Sequence, residues 1–244
     1  FTQDGEFIWA TFFGGDSLDK ATSVSYDNSG NIVFSGYTQS IRLAASGNPF
    51  QKINNGATDC FIAKFSGFGD LIWSGYFGGK HHDYSEDMVI NLKNEILIAG
   101  RTYSDSLPFT ENFIQKYLNG DEDAFLVKFS SDGSDLLLGT YLGGSGDDAA
   151  YAVNVDQNDE ILIAGRTESR DFPVTPGAFS ENNSGIFDSF AARIKKSGDE
   201  FFWSTYAGGS DEEWTEDIIS DDSLNVIVTG ATASPDFPII GGIS

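Results

Sequence analysis

The stretch LLLGTYLGG, residues 136–144, recurs three more times along this chain of 244 residues. The other copies are FIWATFFGG at 7–15, LIWSGYFGG at 71–79 and FFWSTYAGG at 201–209. The successive second glycines are 64, 65 and 65 residues apart, at Gly15, Gly79, Gly144 and Gly209. A fixed period of this length indicates one supersecondary unit copied along the chain.

Two further columns of residues keep the same period. A Gly-x-Thr motif follows each glycine pair, with its threonine at Thr38, Thr102, Thr167 and Thr232. An Asp-x-Phe motif follows the first three of these, with its aspartate at Asp59, Asp123 and Asp188. We therefore treat 1–244 as a single repeat segment, with units at 1–15 (partial), 16–79, 80–144, 145–209 and 210–244 (partial).

Each unit contains four short apolar segments, which predict four strands. In the third unit they are YAVNV (151–155), EILIAG (160–165), SFAARI (189–194) and the glycine-pair copy at 201–209. Short polar or glycine-containing turns join the first strand to the second and the third to the fourth, as in an antiparallel meander. Twenty residues lie between Thr167 and Asp188, far more than a hairpin needs, and we expect them to fold back onto the sheet.

This pattern predicts an all-β fold, a β-propeller built from four-stranded meander blades of about 64–65 residues. Familiar blades have about 40 to 50 residues, and the long loop accounts for the excess. We expect a partial propeller or a fragment of a longer one, with the first strand of each blade innermost. The links between units and the long loops then lie on one face of the disc.

The segments GTYLGGSGDD, AVNVDQNDEILIAGRT, SRDFPVTPGAF and DSFAARI resemble the bacterial beta-propeller repeat known as the SBBP repeat. The resemblance extends over nearly four copies. It implies a secreted or cell-surface bacterial protein, often a long multidomain chain, and in some cases one from gliding Bacteroidetes. The first unit departs from the pattern, because Arg42-Leu43-Ala44 stands where the third has Asp171-Phe172-Pro173.

Composition narrows the classes of partner. The chain is 40% hydrophobic and 14% aromatic, as expected of a folded domain. It has 37 acidic and 14 basic residues, and its net charge of −23 disfavours binding to nucleic acid and anionic lipid. No apolar run is long enough to predict direct membrane insertion. Because the sequence opens inside a repeat, we expect it to belong to a longer chain.

One acidic column recurs in the links between units, at Asp19, Asp83, Asp148 and Glu213. Clustered carboxylates suit Ca²⁺, which binds six to eight oxygen ligands. Alternatively, each acid accepts hydrogen bonds from the neighbouring glycine turn. Recurrence in every unit favours the structural interpretation, so no cofactor or metal is predicted and calcium is kept as the alternative. The two histidines, His81 and His82, are interpreted as a surface pair because no third ligand accompanies them.

Trp214 is the one tryptophan without a counterpart in the other units. It stands among acids just after a glycine pair, where an indole ring can stack on a sugar or a cation. Together with the acids of two links it forms the predicted ligand face, comprising Trp214, Asp147, Asp148, Glu212 and Glu213.

The sequence therefore predicts a non-catalytic extracellular structural or binding module of the adhesin or scaffold type. Its partner would be a protein or a glycan. The alternative is a polysaccharide-acting hydrolase or lyase, which would require carboxylates to converge at the propeller face. No Gly-x-Ser-x-Gly motif typical of a serine nucleophile is present.

Overall fold

The computed structural model describes residues 1–44, 46–109, 111 and 113–239. These residues form fourteen β-strands and no helix, so the all-β prediction is confirmed. No helix that could span a membrane occurs in this part of the chain.

The strands are arranged in four antiparallel sheets whose strand order follows the sequence. Sheet 1 contains β1 (Asp19–Tyr26), β2 (Ile32–Thr38), β3 (Asp59–Phe65) and β4 (Leu71–Phe77). Sheet 2 contains β5 (Asp83–Ile90), β6 (Ile96–Thr102), β7 (Asp123–Phe129) and β8 (Leu136–Leu142). Sheet 3 contains β9 (Asp148–Val155), β10 (Ile161–Thr167), β11 (Asp188–Ile194) and β12 (Phe201–Ala207). Sheet 4 contains β13 (Glu213–Ser220) and β14 (Val226–Thr232).

Each predicted unit from residue 16 onward thus yields one sheet with meander connections, and the register repeats from sheet to sheet. The first residue of the first strand always pairs with the threonine of the Gly-x-Thr motif, as in Asp83 with Thr102 and Asp148 with Thr167. The first strands of successive sheets contact one another, β1 with β5, β5 with β9 and β9 with β13. The first strands therefore lie side by side along one edge of the stack.

Apolar clusters fill the spaces between sheets. One joins sheets 1 and 2 around Phe77, Ile98 and Phe125, and another joins sheets 2 and 3 around Leu126 and Ile163. Successive sheets thus bury apolar faces against one another, and such interfaces between neighbouring units contribute to the stability of repeat proteins. The described strands form four blade-like sheets and no closed ring.

The N-terminal copy at 7–15 differs from the prediction of a fourth strand, because these residues form no strand. They still pack onto sheet 1. The ring of Trp9 stacks on Phe65 at a centroid distance of 6.4 Å, and its Nε1 donates a hydrogen bond to the oxygen of Gly67 at 3.1 Å. A strand requires a ladder partner. Residues 1–6 supply none, since the backbone of Thr2 bonds to that of Glu6 in a local turn.

The long loops fold back onto the fourth strands, as predicted. In sheet 3 the Tyr206 hydroxyl accepts a hydrogen bond from the Phe172 amide at 2.9 Å and donates one to the Ser169 oxygen at 2.9 Å. In sheet 1 the Leu43 amide donates to the Tyr76 hydroxyl at 2.7 Å, although Leu43 replaces the phenylalanine of the Asp-Phe-Pro motif. The departure in the first unit therefore leaves this anchor intact.

The glycine doublets have no room for a side chain. A Cβ atom on Gly143 would lie 2.6 Å from the Cγ of Asp123 and 2.7 Å from an oxygen of Asp148. We expect Gly143→Ala to lower the free energy of unfolding by about 1–3 kcal/mol, because the buried carboxylates of Asp123 and Asp148 must move out of their hydrogen bonds to relieve these contacts. Urea denaturation followed by circular dichroism measures the change.

The control is Gly67→Ala in an exposed turn, where the added Cβ meets only one oxygen, of Gly30, at 3.2 Å. This variant should stay within about 0.5 kcal/mol of the wild type. Equal losses in both variants would contradict the steric role of the doublet.

Candidate functional site

Two buried carboxylates enclose each glycine doublet between complete units. Between sheets 2 and 3, Asp148 accepts a hydrogen bond from the Gly144 amide at 2.7 Å, and Asp123 accepts one from the Asn119 amide at 3.0 Å. The same arrangement joins the other sheets. We call it the carboxylate clasp; its acid pairs are Asp59 with Asp83, Asp123 with Asp148, and Asp188 with Glu213.

The acidic column thus accepts hydrogen bonds from the glycine turns, as the structural interpretation predicted. The amides of Gly15, Gly79 and Gly209 donate to Asp19, Asp83 and Glu213 at 2.8, 2.8 and 2.9 Å. The backbone also crosses between sheets here, since the Asp148 amide donates to the Glu122 oxygen at 2.8 Å.

Two of the predicted ligand-face residues belong to this clasp. Asp148 and Glu213 are 0% and 1% exposed, so their carboxylates face the glycine turns and do not line a surface. Sequence reasoning placed them on the ligand face because a link rich in acids resembles a solvent-exposed one. Within the described part of the chain, no group of three or more His, Cys, Asp or Glu side chains is arranged to hold a metal ion. The absence of a metal stays a prediction, with calcium as its alternative.

Burial in the clasp perturbs its carboxyl groups. The pKa of Asp59 and of Asp148 is raised to about 7, mainly by loss of hydration and in smaller part by the second carboxylate of each pair. Each of these two residues also has one buried oxygen without a hydrogen-bond partner, which favours the neutral form. Burial raises the pKa of Asp83, Asp123 and Asp188 as well.

A β-bulge interrupts the first strand of every sheet at the same place. The extra residue is Thr22, Glu86, Tyr151 or Glu216 in sheets 1 to 4 respectively. The glycine of the Gly-x-Thr motif pairs beside the bulge; a Cβ on Gly165 would lie 1.9 Å from the Ala149 oxygen. This glycine therefore lies at a close approach of two backbones. Bulges redirect side chains, and here they do so on the first strand of each sheet.

A cavity of about 440 Å³ opens beside these bulges and takes its walls from three consecutive sheets. Trp214, from the predicted ligand face, is 37% exposed, and Glu212 lines the cavity with it. Asp147 occupies the position equivalent to Glu212 in the preceding link, is half-buried and is not part of the wall. The wall consists of Glu86, Tyr151, Arg166, Phe187, Glu212, Trp214, Thr215 and Glu216.

Sequence reasoning missed Glu86, Tyr151, Arg166, Phe187 and Glu216. The bulge cannot be recognised from hydrophobic periodicity, because the strand pattern continues on both sides of it. A usable signal was present in the repeat columns. The bulge position changes from Thr to Glu to Tyr to Glu, whereas the clasp column three residues earlier is acidic in all four units.

Equivalent arginines of sheets 2 and 3 have different surroundings. In sheet 2, Arg101 forms ion pairs with Glu86 and Glu122, both at 3.1 Å. In sheet 3, Phe187 occupies the position of Glu122, and the Arg166 guanidinium lies 5.0 Å from the centre of its ring. The Arg166 Nε is buried without a hydrogen-bond partner.

No family model matches the chain, and no curated protein matches it. The resemblance to the bacterial propeller repeat therefore rests on the repeat columns alone.

The clasp predicts an unusual dependence of stability on pH. An unfolded aspartate has a pKa of about 3.9. Between that value and about 7, folded Asp59 and Asp148 bind more protons than the unfolded chain does, so the free energy of unfolding should fall as pH rises through this range. Asp27 acts in the opposite direction. Burial raises the pKa of Asp27, but hydrogen bonds from Lys64 and Asn31 outweigh burial and lower this pKa to about 2. The stability that Asp27 contributes is therefore lost only as the pH falls from about 4 towards 2.

We therefore expect maximal stability at about pH 4 to 5, measured by urea denaturation across pH. Asp148→Asn should weaken the dependence between pH 4 and 7. Asp121→Asn removes the same charge from an exposed loop and should retain the wild-type dependence. A free energy of unfolding that rises steadily from pH 4 to 7 would contradict this account.

Proposed function

We propose that the four sheets are consecutive blades of a β-propeller and that the chain is a non-catalytic binding module with its ligand site in the cavity at Trp214. The observation that carries this proposal is the convergence of three sheets on one cavity beside the inner strands. Three of its wall residues, Glu86, Tyr151 and Glu216, stand at bulges. Binding sites are commonly concave and close to the axis of such repeats.

The cavity has the properties of a recognition site. Its volume of about 440 Å³ lies within the range of small-ligand pockets. Trp214, Tyr151 and Phe187 give it aromatic walls, while carboxylates and a guanidinium supply polar contacts. An exposed indole combined with fixed charges can orient a protein side chain or a sugar ring.

The polysaccharide hydrolase or lyase is the second candidate, since Glu86, Glu212 and Glu216 line the same cavity. Glycosidases use two carboxyl groups, one of which must exchange a proton freely. Glu86 is already engaged in an ion pair with Arg101 at 3.1 Å. Asp148, whose pKa is about 7, is enclosed in the clasp and is absent from the cavity wall. These contacts favour binding without catalysis.

The setting we propose is a bacterial cell surface, where this module belongs to a longer secreted chain of the adhesin or scaffold type. The net charge of −23 supports a protein or glycan partner over nucleic acid. The repeat columns that resemble the bacterial propeller repeat support this setting.

Replacing the exposed indole should remove much of the affinity. We expect Trp214→Ala to weaken binding to the partner found on peptide and glycan arrays by at least about tenfold, because aromatic stacking is lost. Calorimetry with that partner measures the change. Phe68→Ala, at a side chain that is 91% exposed in a turn of sheet 1, is the matched control and should bind as the wild type does. Wild-type affinity in the Trp214 variant would refute this site.

The catalytic alternative has its own measurement. Incubation of the protein with polysaccharides that it binds should produce no new reducing ends and no unsaturated ends. Cleavage that disappears in Glu216→Gln would instead identify the module as an enzyme, because that residue lines the cavity.

A further inference from the structure

Arg101 and Arg166 occupy equivalent positions in sheets 2 and 3, but the residues beside them differ. In sheet 2, the Glu122 carboxylate is 2% exposed and neutralises Arg101. In sheet 3 this acid is replaced by Phe187, and among the described residues Arg166 forms no ion pair. A guanidinium has five donors, and leaving them unpaired beside a cavity costs stability unless a ligand accepts them.

The same cavity also carries negative charge. Glu216 belongs to sheet 4, and Glu212 immediately precedes its first strand, where it forms a parallel β-bridge with Phe187. Among the described residues no cation forms an ion pair with either glutamate. Glu86 also lines the cavity but is already paired with Arg101. The partly exposed ring of Trp214, from the first strand of sheet 4, lines the same cavity, and an indole face attracts a cation. The cavity therefore contains one guanidinium and two carboxylates that form no ion pair among the described residues.

We propose that the cavity binds the C-terminal residue of a peptide when that residue is basic. This inference rests on the proposed function, whose ligand it specifies. The terminal carboxylate pairs with Arg166, as carboxylates do with guanidinium groups. The basic side chain lies against Trp214 and is neutralised by Glu212 and Glu216. The terminal carboxylate and the basic side chain belong to one residue, whose size suits a cavity of about 440 Å³.

Other classes of ligand match only some of the charged and aromatic side chains that line the cavity. A polyanion such as a uronic acid polymer suits Arg166 but is repelled by the two glutamates and by the net charge of −23. A neutral sugar can stack on Trp214 but leaves the guanidinium and both carboxylates without a counter-charge. A purely cationic ligand leaves the Arg166 donors unpaired.

The test uses three peptides that differ by one charge each. Calorimetry compares acetyl-Gly-Gly-Arg ending in a free carboxylate, the same peptide as its C-terminal amide, and the same peptide ending in citrulline, the uncharged analogue of arginine. We expect the first to bind and each of the others to bind at least about tenfold more weakly, because each loses one of the two charge pairs. Oligogalacturonate is the fourth probe and should bind no better than the amide.

Substitutions in the cavity then show which residues pair with each charge of the peptide. Arg166→Gln should bind the acid and the amide equally, while Glu212→Gln combined with Glu216→Gln should bind the arginine and citrulline peptides equally. Phe187→Glu recreates at Arg166 the ion pair seen between Arg101 and Glu122. The new carboxylate should occupy the Arg166 guanidinium and abolish peptide binding. The far-ultraviolet circular dichroism spectrum should not change. Arg170→Gln, which removes an exposed arginine outside the cavity, is the matched control and should bind as the wild type does.

The outcomes separate this inference from the proposed function. Equal affinity for the acid and the amide, or undiminished binding by Phe187→Glu, overturns the inference. If a glycan binds in a Trp214-dependent manner while none of the peptides does, the proposed function stands and the inference fails. Absence of any ligand for the wild type on peptide and glycan arrays refutes both.

Discussion

A glycine doublet held between two carboxylates fixes the distance between successive sheets. Gly143 leaves just enough space for Asp123 and Asp148 to approach the chain from either side. The Asp148 amide bonds to the preceding sheet through the Glu122 oxygen at 2.8 Å, so the first strand of a new sheet starts at a defined height beside its neighbour. That start positions the bulge three residues later, and the bulge positions the cavity wall.

The clasp carries a cost at neutral pH. Carboxylates that accept amide hydrogen bonds are removed from water in pairs, and this desolvation raises the pKa of Asp148 to about 7. The glycine turns need acceptors for their amides, however, and an unpaired buried amide is also costly. The apolar clusters between successive sheets stabilise the fold and offset the desolvation cost of each clasp.

Much of the fold can be predicted from the sequence, because a pattern that is ambiguous in one unit is clear when four units are compared. The four strands of each unit, their order and the ordered long loops follow from columns that recur at a period of 64 or 65 residues. The N-terminal copy at 7–15 was misjudged as a strand, because the pattern of side chains does not reveal whether a ladder partner is available. Only part of the candidate site can be predicted from the sequence. Trp214 and Glu212 were identified as an unmatched aromatic residue and its acidic neighbour, but Arg166 and Phe187 come from other segments and meet them only in three dimensions.

Columns that recur in every unit maintain the fold, and functional differences arise where a column changes. The bulge position illustrates this distinction, because its backbone geometry is the same in all four sheets while its side chain is Thr22, Glu86, Tyr151 or Glu216. At the arginine position the distinction is sharper still. Sheets 2 and 3 share the arginine, the strand and the register, and differ by a glutamate that neutralises the charge in one and a phenylalanine that leaves it free in the other. A change at one position in a repeated scaffold is therefore enough to convert a closed ion pair into an open charge, without disturbing the clasp that holds the sheets together.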